Sequence, residues 1–271
     1  MKRLFLVTLL GLLPLVASAA TFQERQAIAN ATTPEKKGQA IVKIADDRDN
    51  GWQDSEAQML MILRNRRGDE SRRMVRVRTM EVAGDGDKGL SIFDTPPDVK
   101  GTIVLTWSHA LSPDHQWIYL PALKRVKRIS SRNKSGQFMG SEFAYEDIAS
   151  QEVNKYTYKY LGDDFYNGME CYVVERYPAY RYSGYTRQQV WFDKEHFNPQ
   201  KIVFFDRKDY LLKTLIFNGY RQYLGKYWRA DEMEMQNHQT HKSTTLKWGE
   251  YTFGNGLTNR DFTKNALKRI R

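Results

Sequence analysis

Cysteine, histidine and long apolar runs are scarce in this chain, and each scarcity excludes a kind of chemistry. One residue of 271 is cysteine, Cys171, so no internal disulfide forms and no dithiol redox exchange is available. A lone cysteine reads as a buried, inert thiol. Five histidines are too few and too scattered for an evident metal set. His238 and His241 have the spacing of two ligands on one helix face, but they fall at a strand end or hairpin turn, and no third or fourth ligand is evident. His109 and His115 flank the loop 110–114 and read as exposed. After residue 16 no apolar run approaches the ~20 residues that span a bilayer as a helix. No Gly-x-Ser-x-Gly elbow or His-Glu-x-x-His pair is present; Gly140-Ser141 lacks the second glycine. Gly219 and Gly225-Lys226 are one residue too far apart for a phosphate loop, and Tyr227 stands where that loop needs Ser or Thr. No internal repeat or low-complexity tract appears. These absences lead us to expect a protein that is not an enzyme and uses no cofactor or metal.

What is present begins with an export signal. Lys2 and Arg3 precede an apolar run from Leu4 to Val16, and Ala17-Ser18-Ala19 supplies the small-x-small pattern for cleavage after Ala19. No cysteine lies nearby, so lipid attachment there is not expected. The expected arrangement is a signal peptide at 1–19 and one domain at 20–271, free in the periplasm of a two-membrane envelope with no permanent anchor. Losing Lys2 and Arg3 takes the formal charge from +10 to +8. Outside the cytoplasm such a basic surface has no nucleic acid to meet; anionic head groups or an acidic protein face are better matches.

The rest of the chain is punctuated like a β protein. Residues 21–30 form a short helix; Thr33-Pro34 caps a second, with Ala40, Ile41, Ile44 and Ala45 on one face. Alternation then takes over. Val75, Val77 and Thr79 oppose Arg72, Met74, Arg76 and Arg78 across a hairpin strand, and turn signals such as Asn65–Asp69 and Asp206–Asp209 separate further strands. Aromatic residues, 13% of the chain, concentrate in these strands. One internal helix is expected at Ser141–Ser150, which would set Glu146 and Asp147 on different faces as surface charges or arginine partners. Thr263 caps a short last helix with Ala266, Leu267 and Ile270 inward. With no alternating βα rhythm, the fold class expected is mainly β: an open, strongly curved antiparallel sheet, an incomplete barrel, with a few helices closing a hydrophobic cavity.

One stretch joins apolar and basic character. Trp117-Ile118-Tyr119-Leu120-Pro121 leads into Lys124-Arg125-Val126-Lys127-Arg128. Such a strand fits the mouth of a lipid cavity, or equally a plain strand running from core to rim. Residues 117–129 resemble the W-x-Y-L-P-x-L-x-x-x-x-R-I segment of the outer-membrane lipoprotein-sorting, LolA-like family. Phe138 to Ile148 resembles that family's F-x-G-S-D-F-x-Y-E-D-L segment, with Glu142 where Asp is frequent. Gly101-Thr102, Asp206 to Lys213 and Asp261-Phe262-Thr263 match weaker landmarks. The resemblance implies a half-barrel with a hydrophobic cavity, and a carrier of lipid or acylated lipoprotein between envelope layers. It also implies work beside an inner-membrane exporter of the resistance-nodulation-division type. On this reading Trp117, Tyr119, Leu120, Phe138 and Phe143 are expected at the cavity, and Arg125 and Arg128 at head groups or a partner. Met59, Met61, Met139, Met233 and Met235 are available as adaptable lining or as plain core. The alternatives are an interaction module that docks onto an envelope transporter and carries nothing, and, with least support, an enzyme acting on lipids or glycans.

Overall fold

The computed structural model describes residues 20–270; the expected signal segment lies outside them. Helix α1 (Phe22–Ala29) starts with a reciprocal capping box between Thr21 and Glu24. Helix α2 (Pro34–Asp49) starts from Thr33 with proline in its first turn, as the sequence predicts. Strands follow: β1 (Asp54–Arg64), β2 (Glu70–Met80), β3 (Lys88–Phe93), β4 (Ile103–Trp107), β5 (His115–Leu120) and β6 (Arg125–Ile129). After a long connection come β7 (Tyr156–Tyr166), β8 (Met169–Pro178), β9 (Tyr185–Asp193), β10 (Pro199–Asp206), β11 (Leu211–Tyr223), β12 (Tyr227–Asn237), β13 (Ser243–Trp248) and β14 (Thr252–Phe253). The protein is mainly β: among the described residues, one antiparallel sheet of 14 strands that does not close. Its order is β6-β5-β4-β3-β2-β1-β13-β12-β11-β10-β9-β8-β7, with β14 pairing β1. The edge strands β6 and β7 are thus consecutive in sequence, joined by residues 130–155.

That connection reports how far the sheet curls. Gln116 of β5 donates from Nε2 to the Tyr145 carbonyl at 2.9 Å. The next residue, Glu146, accepts from the Gly184 backbone N–H, beside β9, at 2.7 Å. In a flat sheet β5 and β9 would be about 40 Å apart at the usual strand spacing. Both reach adjacent residues of one segment, so the sheet is rolled into a trough and residues 130–155 form a strap across it.

Strand alternation sends one set of side chains into the trough and the other set outward. The inner set, including Met59, Met61, Phe93, Phe192, Phe204, Leu215, Met235 and Leu246, forms the main core with Ile41 and Ile44 of α2 and Phe138 of the strap. Outside, the C-terminal segment lays Phe262 and Leu267, both fully buried, over Leu90, Ile92, Ile103, Leu105 and Trp117. The Thr263 side chain accepts from Ala266 N–H at 3.1 Å, and the short helix expected there is a single 3-10 turn, Ala266–Lys268. Cys171 is buried in a third cluster with Val173 and Trp191, and burial pushes its thiol up to about 11, the inert state expected.

Helix α2 packs mainly on β7. The contact depends on Gly38: a Cβ there would stand 2.9 Å from the Tyr160 backbone nitrogen. Lys37 places its ammonium 3.9 Å from the centre of the Tyr160 ring.

The strap itself overturns one expectation. Ser141–Ser150 is a run of turns and bends, not a helix. Its N–H groups are claimed by acceptors other than the carbonyl four residues back. Glu142 N–H goes to Thr244 Oγ1 of β13 at 3.0 Å, and Ala144 N–H to Asp147 Oδ2 at 2.7 Å. Tyr145 and Glu146 bond back to the Gly136 and Lys134 carbonyls. Glu146 and Asp147 are accordingly buried anchors, not surface charges, and among the described residues neither pairs with an arginine. Lys213 Nζ donates to Asp147 Oδ2 at 2.7 Å, the two side chains only 4% and 8% exposed. Tyr185 OH donates to the same carboxylate at 2.8 Å. Glu142 accepts from Asn237 Nδ2 at 2.6 Å. The ends of the strap meet on one buried carboxylate, Asp114, which takes Lys155 at 2.8 Å and Lys134 at 3.3 Å.

Removing one partner of a buried ion pair strands the other charge, at a cost of about 3–5 kcal/mol. Lys213→Ala should therefore lower unfolding free energy by about that amount. Lys213→Met combined with Asp147→Leu should recover only part of it, because Tyr185 OH and Ala144 N–H then lose their acceptor. Urea denaturation followed by tryptophan fluorescence measures both.

Candidate functional site

The trough leaves a cavity of about 1350 Å³ between the strap, α2 and strands β8–β12. Pockets for small ligands run to roughly 300–1,000 Å³, so this one suits a larger or chain-like molecule. Its floor comes from alternate residues on neighbouring strands: Val190 and Phe192 of β9, Ile202 and Phe204 of β10, Leu215 and Phe217 of β11 and Met233 of β12. Val42 and Ala45 of α2 face it, as do Phe197 from the β9–β10 turn and Phe143 from the strap. The mouth runs past the exposed residues Asn50, Gly51, Ala83 and Gly84.

The charged lining is lopsided. Eight carboxylates line the cavity against four cations, in a chain with a formal charge of +10. The cations are engaged. Arg48 grips Glu24 through two 2.7 Å hydrogen bonds, which hold that carboxyl down at about 2. Arg229 reaches Asp49 at 2.5 Å, Arg176 donates to Gln188 at 2.7 Å and Lys226 donates to the Asn50 carbonyl at 2.5 Å. Asp85 is also held at about 2, chiefly by His109, whose Nδ1 lies 2.8 Å away. His109 is therefore tucked in rather than an exposed loop residue, and its ring packs edge-on against His115 at 5.1 Å. Asp87 behaves oppositely: burial, reinforced by Glu152, Glu81 and Asp49, raises it to about 7.

The structure separates the residues singled out from the sequence. Phe143 lines the cavity. Phe138 is buried in the main core against Phe93, ring centroids 6.0 Å apart. Trp117 and Tyr119 point to the outer face, where Trp117 meets Trp107 at 4.9 Å beneath the C-terminal segment. Leu120 stands half-buried at the end of β5. Arg125 and Arg128 are exposed on edge strand β6, opposite Leu120 and Trp117 respectively, and so on opposite faces of the sheet. None of these six beyond Phe143 lies in the cavity wall. Of the methionines, Met233 lines the cavity, Met59, Met61 and Met235 are buried core, and Met139 is half-buried in the strap. The floor residues had a signal, their period-2 apolar pattern in β9–β11, but the pattern does not say which face turns inward. Among the described residues no cluster of His, Cys, Asp and Glu could hold a metal. His238 instead bonds Thr214 Oγ1 through Nε2 at 2.8 Å. No helix among them is long and apolar enough to cross a membrane.

Known proteins with this architecture agree with the family that the central segments resemble. A family profile described only as an uncharacterized protein matches residues 85–269. A solved structure described as an outer membrane lipoprotein-sorting protein domain, from Vibrio parahaemolyticus, is 56% identical with a TM-score of 0.85, over 87% of this chain and 100% of that one. A DUF1329 family protein from Desulfovibrio piger is 30% identical with a TM-score of 0.82 over the same shares. A LolA superfamily protein from Nitrosomonas europaea, 19% identical, shares the fold at a TM-score of 0.68, again over 87% and 100%. No curated protein matches. The chain belongs to the LolA-like outer-membrane lipoprotein-sorting family.

The raised Asp87 carboxyl has a stability consequence. Between pH ~4 and ~7 the folded protein keeps a proton that the unfolded chain has lost, so this group's contribution falls as pH rises through that window. Asp87→Asn removes the penalty. The variant should melt several degrees above the parent at about pH 8 and level with it near pH 4, by scanning calorimetry.

Proposed function

We propose that the protein is a periplasmic carrier that shelters the acyl chains of a lipid or lipoprotein in the trough. The observation that carries this is the size and lining of the large cavity: an apolar floor built from four strands and roofed by a helix and the strap. An acyl chain in water costs about 0.8 kcal/mol per exposed CH₂, so any aqueous crossing needs such a shelter. The family supports the reading, since a relative at 56% identity is described as a lipoprotein-sorting domain. Export by a signal peptide cleaved after Ala19 fits the same compartment.

A second reading, docking onto an envelope transporter, draws on the rim. Phe22, Leu111 and Leu224 are 78%, 86% and 70% exposed. Each is next in sequence to a residue that lines the cavity, namely Thr21, Ala110 and Gly225. Exposed apolar side chains beside cavity-lining residues offer contact points for a partner. An exporter of the resistance-nodulation-division type is the partner that the family resemblance implies.

Ala45→Trp fills the space between α2 and the floor. It should weaken binding of a fluorescent fatty acid by about tenfold or more, with thermal stability retained. Unchanged binding would overturn carriage in this cavity. A transporter pull-down that survives Ala45→Trp, together with no fatty-acid binding by the parent, would favour docking instead.

A further inference from the structure

A smaller chamber of about 340 Å³ opens beside the main cavity and shares Asp49, Trp52, Asp87, Ser150, Arg229 and Tyr251 with it. Its character differs from the apolar floor. Three of its walls are aromatic: Trp52, Trp248 and Tyr251, the last two stacked with centroids 5.5 Å apart at 28°. Arg229 pairs with Asp49 at 2.5 Å and lies 5.9 Å from the centre of the Trp52 ring, so that ring already faces a cation; Lys88 donates to the neutral Asn259 amide, its ammonium 5.1 Å from the Trp107 ring. Asp87 is different. Among the described residues no cation lies within ion-pair distance of it, and its carboxylate accepts one long hydrogen bond, from Val82 N–H at 3.3 Å.

Aromatic faces and an unpaired carboxylate in one small chamber define a ligand chemistry. The ring quadrupoles attract a cation, most strongly where water is excluded. The carboxylate adds a full charge of the same preference, and would repel an anion held beside it. We propose that this chamber binds the ammonium group of an amphiphile whose acyl chain lies in the main cavity. The proposal rests on the carrier reading above, and it sets the cargo's orientation: chain over the β9–β12 floor, head against Trp248, Tyr251 and Asp87.

The test compares dodecyl amphiphiles that differ only in the head, each below its micellar concentration, at roughly pH 8, where Asp87 is ionised. Tryptophan fluorescence reports the Kd of dodecyltrimethylammonium, dodecylphosphocholine, dodecyl maltoside and dodecyl sulfate. The two ammonium-bearing probes should bind about tenfold tighter than the maltoside, the gain a desolvated cation–π contact supplies. The sulfate should bind weakest. In Asp87→Asn the ratio of maltoside to trimethylammonium Kd should collapse towards one. Equal affinities in the parent, or an undiminished ratio in the variant, would overturn the chamber proposal while leaving carriage intact. Failure of all four probes, the maltoside included, would instead overturn carriage and the chamber with it. Choline chloride, the same head without a chain, should bind far more weakly than dodecyltrimethylammonium; equal affinity would mean a site for a free amine and contradict the amphiphile.

Discussion

Everything in this molecule depends on how a long strip of sheet is kept rolled. An antiparallel sheet with free edges has no intrinsic reason to stop at one curvature, and here the two edge strands do not pair with each other. The strap fixes the curvature by bonding to both sides of the trough, and the ion pair between Asp147 and Lys213 is its central fastening. Around it Glu142 is tied to β12 and β13, Glu146 to the β8–β9 turn, and both ends to Asp114. Buried charges of this kind contribute little net stability compared with apolar packing, but they are intolerant of misplacement. That intolerance is useful here. A greasy strap could slide along a greasy trough, whereas one held by directional, desolvated hydrogen bonds has one seat and leaves one cavity.

The same logic accounts for the polar residues of the segment Phe138–Ile148. Ser141, Glu142, Glu146 and Asp147 all spend their hydrogen-bonding capacity on other parts of the chain. The apolar members, Phe138 and Phe143, divide the work between core and cavity wall.

The strands were legible because their signals are local: alternation of Val75, Val77 and Thr79 against arginines, and turn residues between runs. The strap was not legible. Its backbone partners are Thr244 and its own Gly136 and Lys134, and nothing within a ten-residue window announces them. Trp117 and Tyr119 illustrate a different limit. Alternation shows that β5 has two faces, but only the C-terminal segment, lying 140 or so residues downstream, makes the outer one a second core. The acidic lining was equally hidden, since its carboxylates come from both helices, the β2–β3 loop and the strap. A basic whole chain thus surrounds a cavity lined by more carboxylates than cations, which net charge alone does not reveal.

That the trough holds an amphiphile is our proposal, and native mass spectrometry of the protein recovered from its native host tests it most directly. A carrier should appear as the protein with a bound mass in the range of a lipid or acylated lipoprotein, released on unfolding. Repeated recovery of the bare chain alone, under conditions that preserve a lipid complex in a control carrier, would contradict it.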